Sequence, residues 1–245
     1  MGKEVVIMEK YFQMKAENNV AQIDIFGDIV SDKWYDEETS AVSFRDSLKS
    51  LGDVSTINLS INSGGGSVFD GIAIYNMLKS SKAQVNVYVE GLAASIASVI
   101  AMAGDTITMR SGSMLMVHMP WTVAQGNAED MRQMADTLEK TGDSIVDIYS
   151  ERTKIPVDEI KQVMKNETWL SADEAVSQGW ATTLDKREAV MNSVPKETLG
   201  RFSNVPKNFL DKLENKTSDL SQERKELVAR EKQNLKLLKE EIEEK

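Results

Sequence analysis

At 245 residues, 41% apolar and 28% charged, the chain has room for one core of about 150–200 residues plus an appendage, in the composition range of soluble globular proteins. Cysteine is absent, which excludes disulfides, thiolate metal sites and a cysteine nucleophile. The net charge of −10 belongs to the body: residues from 196 onward hold 12 Lys/Arg against 11 Asp/Glu, leaving 17 against 28 before them, and an acidic body without a basic patch argues against nucleic acid as a partner.

The opening MGKEVVIMEK carries charges through its short apolar stretch, unlike a secretory signal. The longest weakly polar run, residues 91–104, is shorter than the ~20 residues a membrane helix needs. A cytoplasmic protein with no membrane partner is therefore expected. Alternating runs within residues 5–30, clearest from Val20 to Phe26, predict strands that turn at Gly27. A helix is predicted from Asp36 to Leu51, then a strand from Val54 to Ile61 running into Asn62-Ser-Gly-Gly-Gly66-Ser. Residues 68–79 read as an amphipathic helix and 84–90 as a strand, with Gly91 opening a helix of small residues. Short strands follow at 106–109 and 114–117.

Strand, glycine turn and helix thus repeat, which predicts an α/β fold with helices packed on mainly parallel strands. A long amphipathic helix is expected from Asn127 to about Lys154, with Met131, Met134, Leu138, Ile145, Ile148 and Tyr149 on its apolar side. Pro156 suits the first turn of a helix ending near Asn166. Ser171-Ala-Asp-Glu reads as a capping box for a short helix that stops at Gly179, and a strand around Trp180 to Leu184 closes the body. The boundary is drawn after residue 193, with the core at about 20–185. Residues 194–245 are read as a linker and a charged helical tail. Leu213, Leu220, Leu227, Leu235 and Ile242, nearly seven apart, fit either a coiled coil or a solvated charged helix.

His118 is the sole histidine. Lone histidines are most often structural, but this one ends a strand-like run before Met119-Pro120, at a strand terminus beside a turn. Its ordinary pKa near ~6.5 makes it the best available base at neutral pH. Ser95, in Gly91-Leu-Ala-Ala-Ser95-Ile-Ala-Ser, falls at the first turn of a predicted helix, where free N–H groups and the helix dipole favour an oxyanion and a deprotonated nucleophile. The same serine also fits the role of a helix cap. In the glycine turn, no Gly-Lys-Ser/Thr follows and Phe69 stands where a third glycine of GxGxxG would be, so a phosphate cradle is disfavoured. Glycines here let the backbone approach a peptide and aim N–H groups at its carbonyl. For an acid to orient the imidazole, Glu167, Asp173 and Glu174 are all near a helix-to-turn junction, and spacing does not choose among them.

Taken together, Ile61-Asn-Ser-Gly-Gly-Gly66, Gly91-Leu-Ala-Ala-Ser95, Met116-Val-His118-Met-Pro120 and Trp169-Leu-Ser-Ala-Asp-Glu-Ala-Val-Ser-Gln-Gly179 closely resemble the proteolytic subunit of the Clp protease family, in the family's order, across about residues 20–185. The resemblance implies the ClpP/crotonase-type α/β fold of repeated strand-turn-helix units, here with a charged helical C-terminal extension. It implies a serine endopeptidase with Ser95 as nucleophile, His118 as base, Glu167 at the acid position, and an oxyanion site formed by Gly65, Gly66 and Ile96, with the N–H groups of Gly66 and Ile96 as the donor pair. No cofactor or metal is implied. The partners implied are a polypeptide substrate and further copies of the chain in seven-fold rings, single or stacked, interlocked through the segment after His118. The opening residues and charged tail look more like phage Clp-type head-maturation proteases, which points to a capsid or scaffold protein as substrate; an ATP-driven unfoldase is not legible. Two departures stand out: Gly64 replaces the family's proline, and Glu167 its aspartate. Two other readings are a latent ring subunit acting as scaffold and a crotonase-type acyl-CoA enzyme.

Overall fold

The computed structural model describes residues 5–8, 12–17, 19–32, 38–188 and 196–211. Two compact units divide the chain, residues 1–204 and 205–245. In the second unit, residues 207–211 are helical, with the Phe209 and Leu210 N–H groups bonded to the Pro206 carbonyl. The leucine repeat from Leu213 lies outside the described residues.

The first unit is built on one mixed sheet. Strands β1 (Val5–Met8), β2 (Phe12–Glu17) and β3 (Val20–Phe26) form an antiparallel meander. From β3 the sheet continues in parallel through β4 (Thr56–Ser63), β5 (Gln84–Ala94), β6 (Thr106–Ser111) and β9 (Thr183–Glu188). Helix α1 (Ala41–Ser50) lies between β3 and β4, and α2 (Val68–Lys79) between β4 and β5. Alternation sends Ala21, Ile23, Ile25, Ile57, Leu59, Ile61, Val85, Val87, Val89, Ile107 and Met109 to one face, all essentially inaccessible. That face forms the core with Phe44 of α1 and Ile74 and Leu78 of α2. The α/β fold expected from the repeated strand-turn-helix pattern is the fold observed.

The opposite face is polar. Asn86 donates its amide to Asn58 at 3.1 Å and Thr106 donates its hydroxyl to Asn86 at 2.9 Å, a ladder across three strands. Farther along the strands, Arg110 is ion-paired with Glu90 and Asp185 and lies over the Tyr88 ring. Nearby, burial and the neighbouring Glu90 charge push the Asp24 carboxyl above its ordinary range.

β5 is longer than the sequence predicted. Rather than breaking at Gly91, it runs on to Ala94, because its second half finds a new partner: Leu92–Ala94 pair in parallel with β7 (Met114–Val117). Gly91 therefore lies inside a strand, and α3 (Ile96–Ala101) begins only after Ser95. β7 in turn pairs antiparallel with β8 (Thr168–Ser171), a short strand leading straight into the Ser171 capping box that the sequence reading did not include. The closing strand also shifts: Trp180 precedes β9, fully buried and edge-on to Tyr149 at 5.3 Å, so it is a core side chain rather than a strand residue.

Helices α4 (Ala128–Thr153), α5 (Val157–Lys165) and α6 (Ala172–Ser177) follow the predicted pattern, and the Ser171/Glu174 capping box is formed. α4 is two-faced along its length. Its second half is packed through Gly142, Ile145, Val146 and Tyr149, while its first three turns stand in solvent with Met131 and Met134 exposed. Residues 189–195 lie outside the described ones; the chain is next seen in α7 (Lys196–Leu199).

Candidate active site

Strand register brings the chemistry together. β5 ends at Ala94, paired with Met116 of the parallel β7, so Ser95 and His118 leave neighbouring strands at the same end. β8 runs the other way, pairing Thr168 with Val117, so its preceding residue, Glu167, arrives at that end too. β4 pairs Ser63 with Ala93 and then gives way to Gly64-Gly65-Gly66. Four strand termini therefore converge.

Ser95 occupies the N-cap position of α3 but makes no capping hydrogen bond. Its backbone has a positive φ, with φ 55° and ψ −129°, an unfavourable conformation for a non-glycine residue. The Ser95 N–H is bonded to the Met116 carbonyl at 2.9 Å, and the Ser95 carbonyl accepts from the Ser98 hydroxyl at 2.5 Å. Ser98 is itself 2.7 Å from the hydroxyl of buried Tyr149. The turn is thereby fixed from both sides, and the side-chain oxygen is left to face His118, with Oγ 2.8 Å from Nε2. The capping alternative for Ser95 is not what forms.

His118 is half-buried, and desolvation holds its pKa below the ordinary 6.5, partly opposed by the negative charge of Glu167. The imidazole is thus neutral, with a lone pair to accept a proton, at neutral pH. Met119 continues the backbone connection by donating its N–H to the Met164 carbonyl at 3.2 Å, which ties the turn to α5.

The three glycines have distinct surroundings. A β-carbon on Gly65 would come within 2.8 Å of the Ser95 β-carbon and 3.1 Å of the Ile96 nitrogen, so this residue is the one pressed against the Ser95 turn. Its φ of 91° and that of Gly66, 142°, favour glycine. Gly66 lies against Ile29, whose carbonyl accepts from the Ser67 N–H at 2.7 Å, while the Ile29 N–H is bonded to Gly65 O at 2.9 Å. A β-carbon on Gly64 would meet the methyl of Thr198 at 2.0 Å.

Of the three acids, Glu174 is committed to its own helix cap, accepting from the Ser171 N–H at 2.9 Å and the Ser171 hydroxyl at 2.7 Å, which holds its carboxyl below the ordinary range. Asp173 is exposed beside it. Glu167 alone lies close enough to influence His118 electrostatically. Its backbone φ is positive as well, 48°. The carboxylate nevertheless faces elsewhere: it accepts the N–H groups of Ser203 at 3.0 Å and Asn204 at 2.6 Å. The sequence reading did not anticipate this segment at the site, since residues past Pro195 carry only polar, linker-like composition.

The family model described as Clp protease matches residues 17–187. Among curated proteins, the ATP-dependent Clp protease proteolytic subunit of Deinococcus radiodurans is 34% identical over 125 residues, 50% of this chain and 61% of that protein. Proteolytic subunit 1 of Synechococcus sp. is 38% identical over 135 residues, 54% of this chain and 68% of the relative. Subunit 2 of Parasynechococcus marenigrum is 37% identical over the same length and shares. With a match across most of its length and the strand-end arrangement expected of the resemblance, the chain belongs to the Clp protease family.

Proposed function

We propose that the chain is a serine endopeptidase in which Ser95 is the nucleophile, His118 its general base and Glu167 the acid that stabilises the imidazolium. The observation that carries this reading is the 2.8 Å approach of His118 Nε2 to a Ser95 hydroxyl freed from capping duty. In the first half-reaction Ser95 Oγ bonds to the substrate carbonyl carbon while its proton passes to Nε2, and the carbonyl electron pair moves onto oxygen. Gly66 and Ile96 supply the N–H donors for that oxyanion. The Ile96 donor belongs to the first turn of α3, where N–H groups lack intrahelical partners. Collapse breaks the C–N bond, and the leaving amine takes the proton from His118. Water then attacks the acyl-enzyme, gives its proton to Nε2, and Ser95 departs with that proton.

The substrate class is a polypeptide chain, and the working form is a ring of copies, single or stacked. Two surfaces support assembly: a largely parallel sheet covered by helices on one face only, and an α4 whose first turns stand exposed beside Trp121 and Val123. A capsid or scaffold protein of a phage head is the substrate proposed from the chain's opening residues and charged tail.

Fluorophosphonate labelling with mapping of the modified peptide tests the core of this reading. Label on Ser95 that disappears in both Ser95→Ala and His118→Ala establishes an activated serine and its base. A folded, ring-sized protein that resists the reagent, with the 196–204 segment released as well as in place, would refute the peptidase reading and leave a scaffold subunit.

A further inference from the structure

Gly64, His118 and Glu167 of the site just described are each touched by a segment the chemistry does not need. Thr198 and Leu199 are buried, at 4% and 3% exposure, although they lie in a short polar stretch outside the sheet. The Thr198 methyl occupies the space next to Gly64 that any side chain there would require. Arg201 is ion-paired with Asp28 at 2.5 Å, on the far side of the glycine turn. The Phe202 ring stands edge-on to both His118, centroids 5.7 Å apart, and Trp169, 5.6 Å apart. Ser203 and Asn204 then give their N–H groups to Glu167, and the Asn204 amide donates to the Asn166 carbonyl at 3.1 Å.

We propose that residues 198–204 form a strap that docks in the peptide groove of its own subunit, holds the site latent, and must be displaced by an incoming polypeptide. This rests on the peptidase reading and extends it to regulation. Three effects coincide. Phe202 packs in a T-shaped contact against the imidazole, Thr198 fills the groove beside the glycine turn, and the two main-chain donors draw the Glu167 carboxylate toward themselves. A substrate lying along Gly64–Gly66 displaces the strap and frees that carboxylate for His118, so substrate binding and completion of the site become one event. The absence of a side chain at Gly64, where the resembled motif carries proline, is accounted for in the same way: Thr198 takes that room.

The strap grips mainly through main-chain donors and one ring, so it can be loosened without altering any catalytic group. Three full-length variants do this from different sides. Phe202→Ala removes the ring, Asn204→Pro removes the N–H that Glu167 accepts, and Arg201→Ala removes the ion pair with Asp28. The experiment compares these with wild type by fluorophosphonate labelling rate at Ser95 and by amide hydrogen exchange of the 198–204 peptide. The strap predicts slow exchange in wild type, fast exchange in the variants, and labelling at least about tenfold faster once the competent fraction rises. Free exchange in wild type, or variants that lose protection yet label at the wild-type rate, overturns the strap while leaving the peptidase intact. Loss of protection with no labelling in any protein overturns the nucleophile, and with it the object of the latch.

Discussion

Ser95 and Glu167 both hold positive backbone φ angles, 55° and 48°, and each such residue costs on the order of 1–3 kcal/mol. Neither residue type favours that region, so nothing in the sequence marked it; the signal would have been a glycine or asparagine, and the chemistry forbids both. Ser95→Gly should therefore be more stable than Ser95→Ala by about 1 kcal/mol in denaturant titration, although both lack the proposed nucleophile. At His118, a pKa below 6.5 means that the neutral, competent imidazole persists into mildly acidic solution. The acid limb of Ser95 labelling should consequently have its midpoint below pH 6.5. Glu167→Gln removes the charge that opposes desolvation, and should shift that midpoint lower still.

At the scale of elements, the strand-turn-helix repeat was legible because its side-chain periods were clean: β3, β4 and the first half of β5 alternate without interruption. What was not legible is the second half of β5. Gly91-Leu-Ala-Ala has no alternation, and its strand conformation depends on β7, whose pairing is a tertiary fact. The neighbours of Ser95 and the uniqueness of His118 made them candidates and the resemblance gave them roles, yet their 2.8 Å contact required the β5–β7 register. Spacing did not choose Glu167 over Glu174; the resemblance did, and the antiparallel β7–β8 pairing is what carries Glu167 to the strand end beside His118. Two changes test how these elements hold the site. Gly66→Ala would place a β-carbon 2.0 Å from the Ile29 carbonyl oxygen, a backbone atom that cannot swing aside. It should cost about 1–3 kcal/mol and slow acylation by ~10²-fold or more as the oxyanion donor moves. Tyr149→Phe deletes the buried partner of Ser98, which braces the Ser95 carbonyl; a loss of about 1–2 kcal/mol in thermal or chemical unfolding is expected.

For the whole molecule, the exposed methionines of α4 and the polar sheet face are surfaces of different chemistry. If the proposed rings stack through α4, Met131→Asp with Met134→Asp inserts charge into that apolar surface and should halve particle mass in light scattering. The sheet face, by contrast, is polar, with Arg110 paired to Glu90 and Asp185 across neighbouring strands. That second face is satisfied within the subunit: Asn58, Asn86 and Thr106 bond one another, and Arg110 is paired at home. A newly synthesised copy can therefore wait in water without a greasy sheet exposed to strangers, and the proposed assembly would be set by how many copies have accumulated rather than by a race against precipitation.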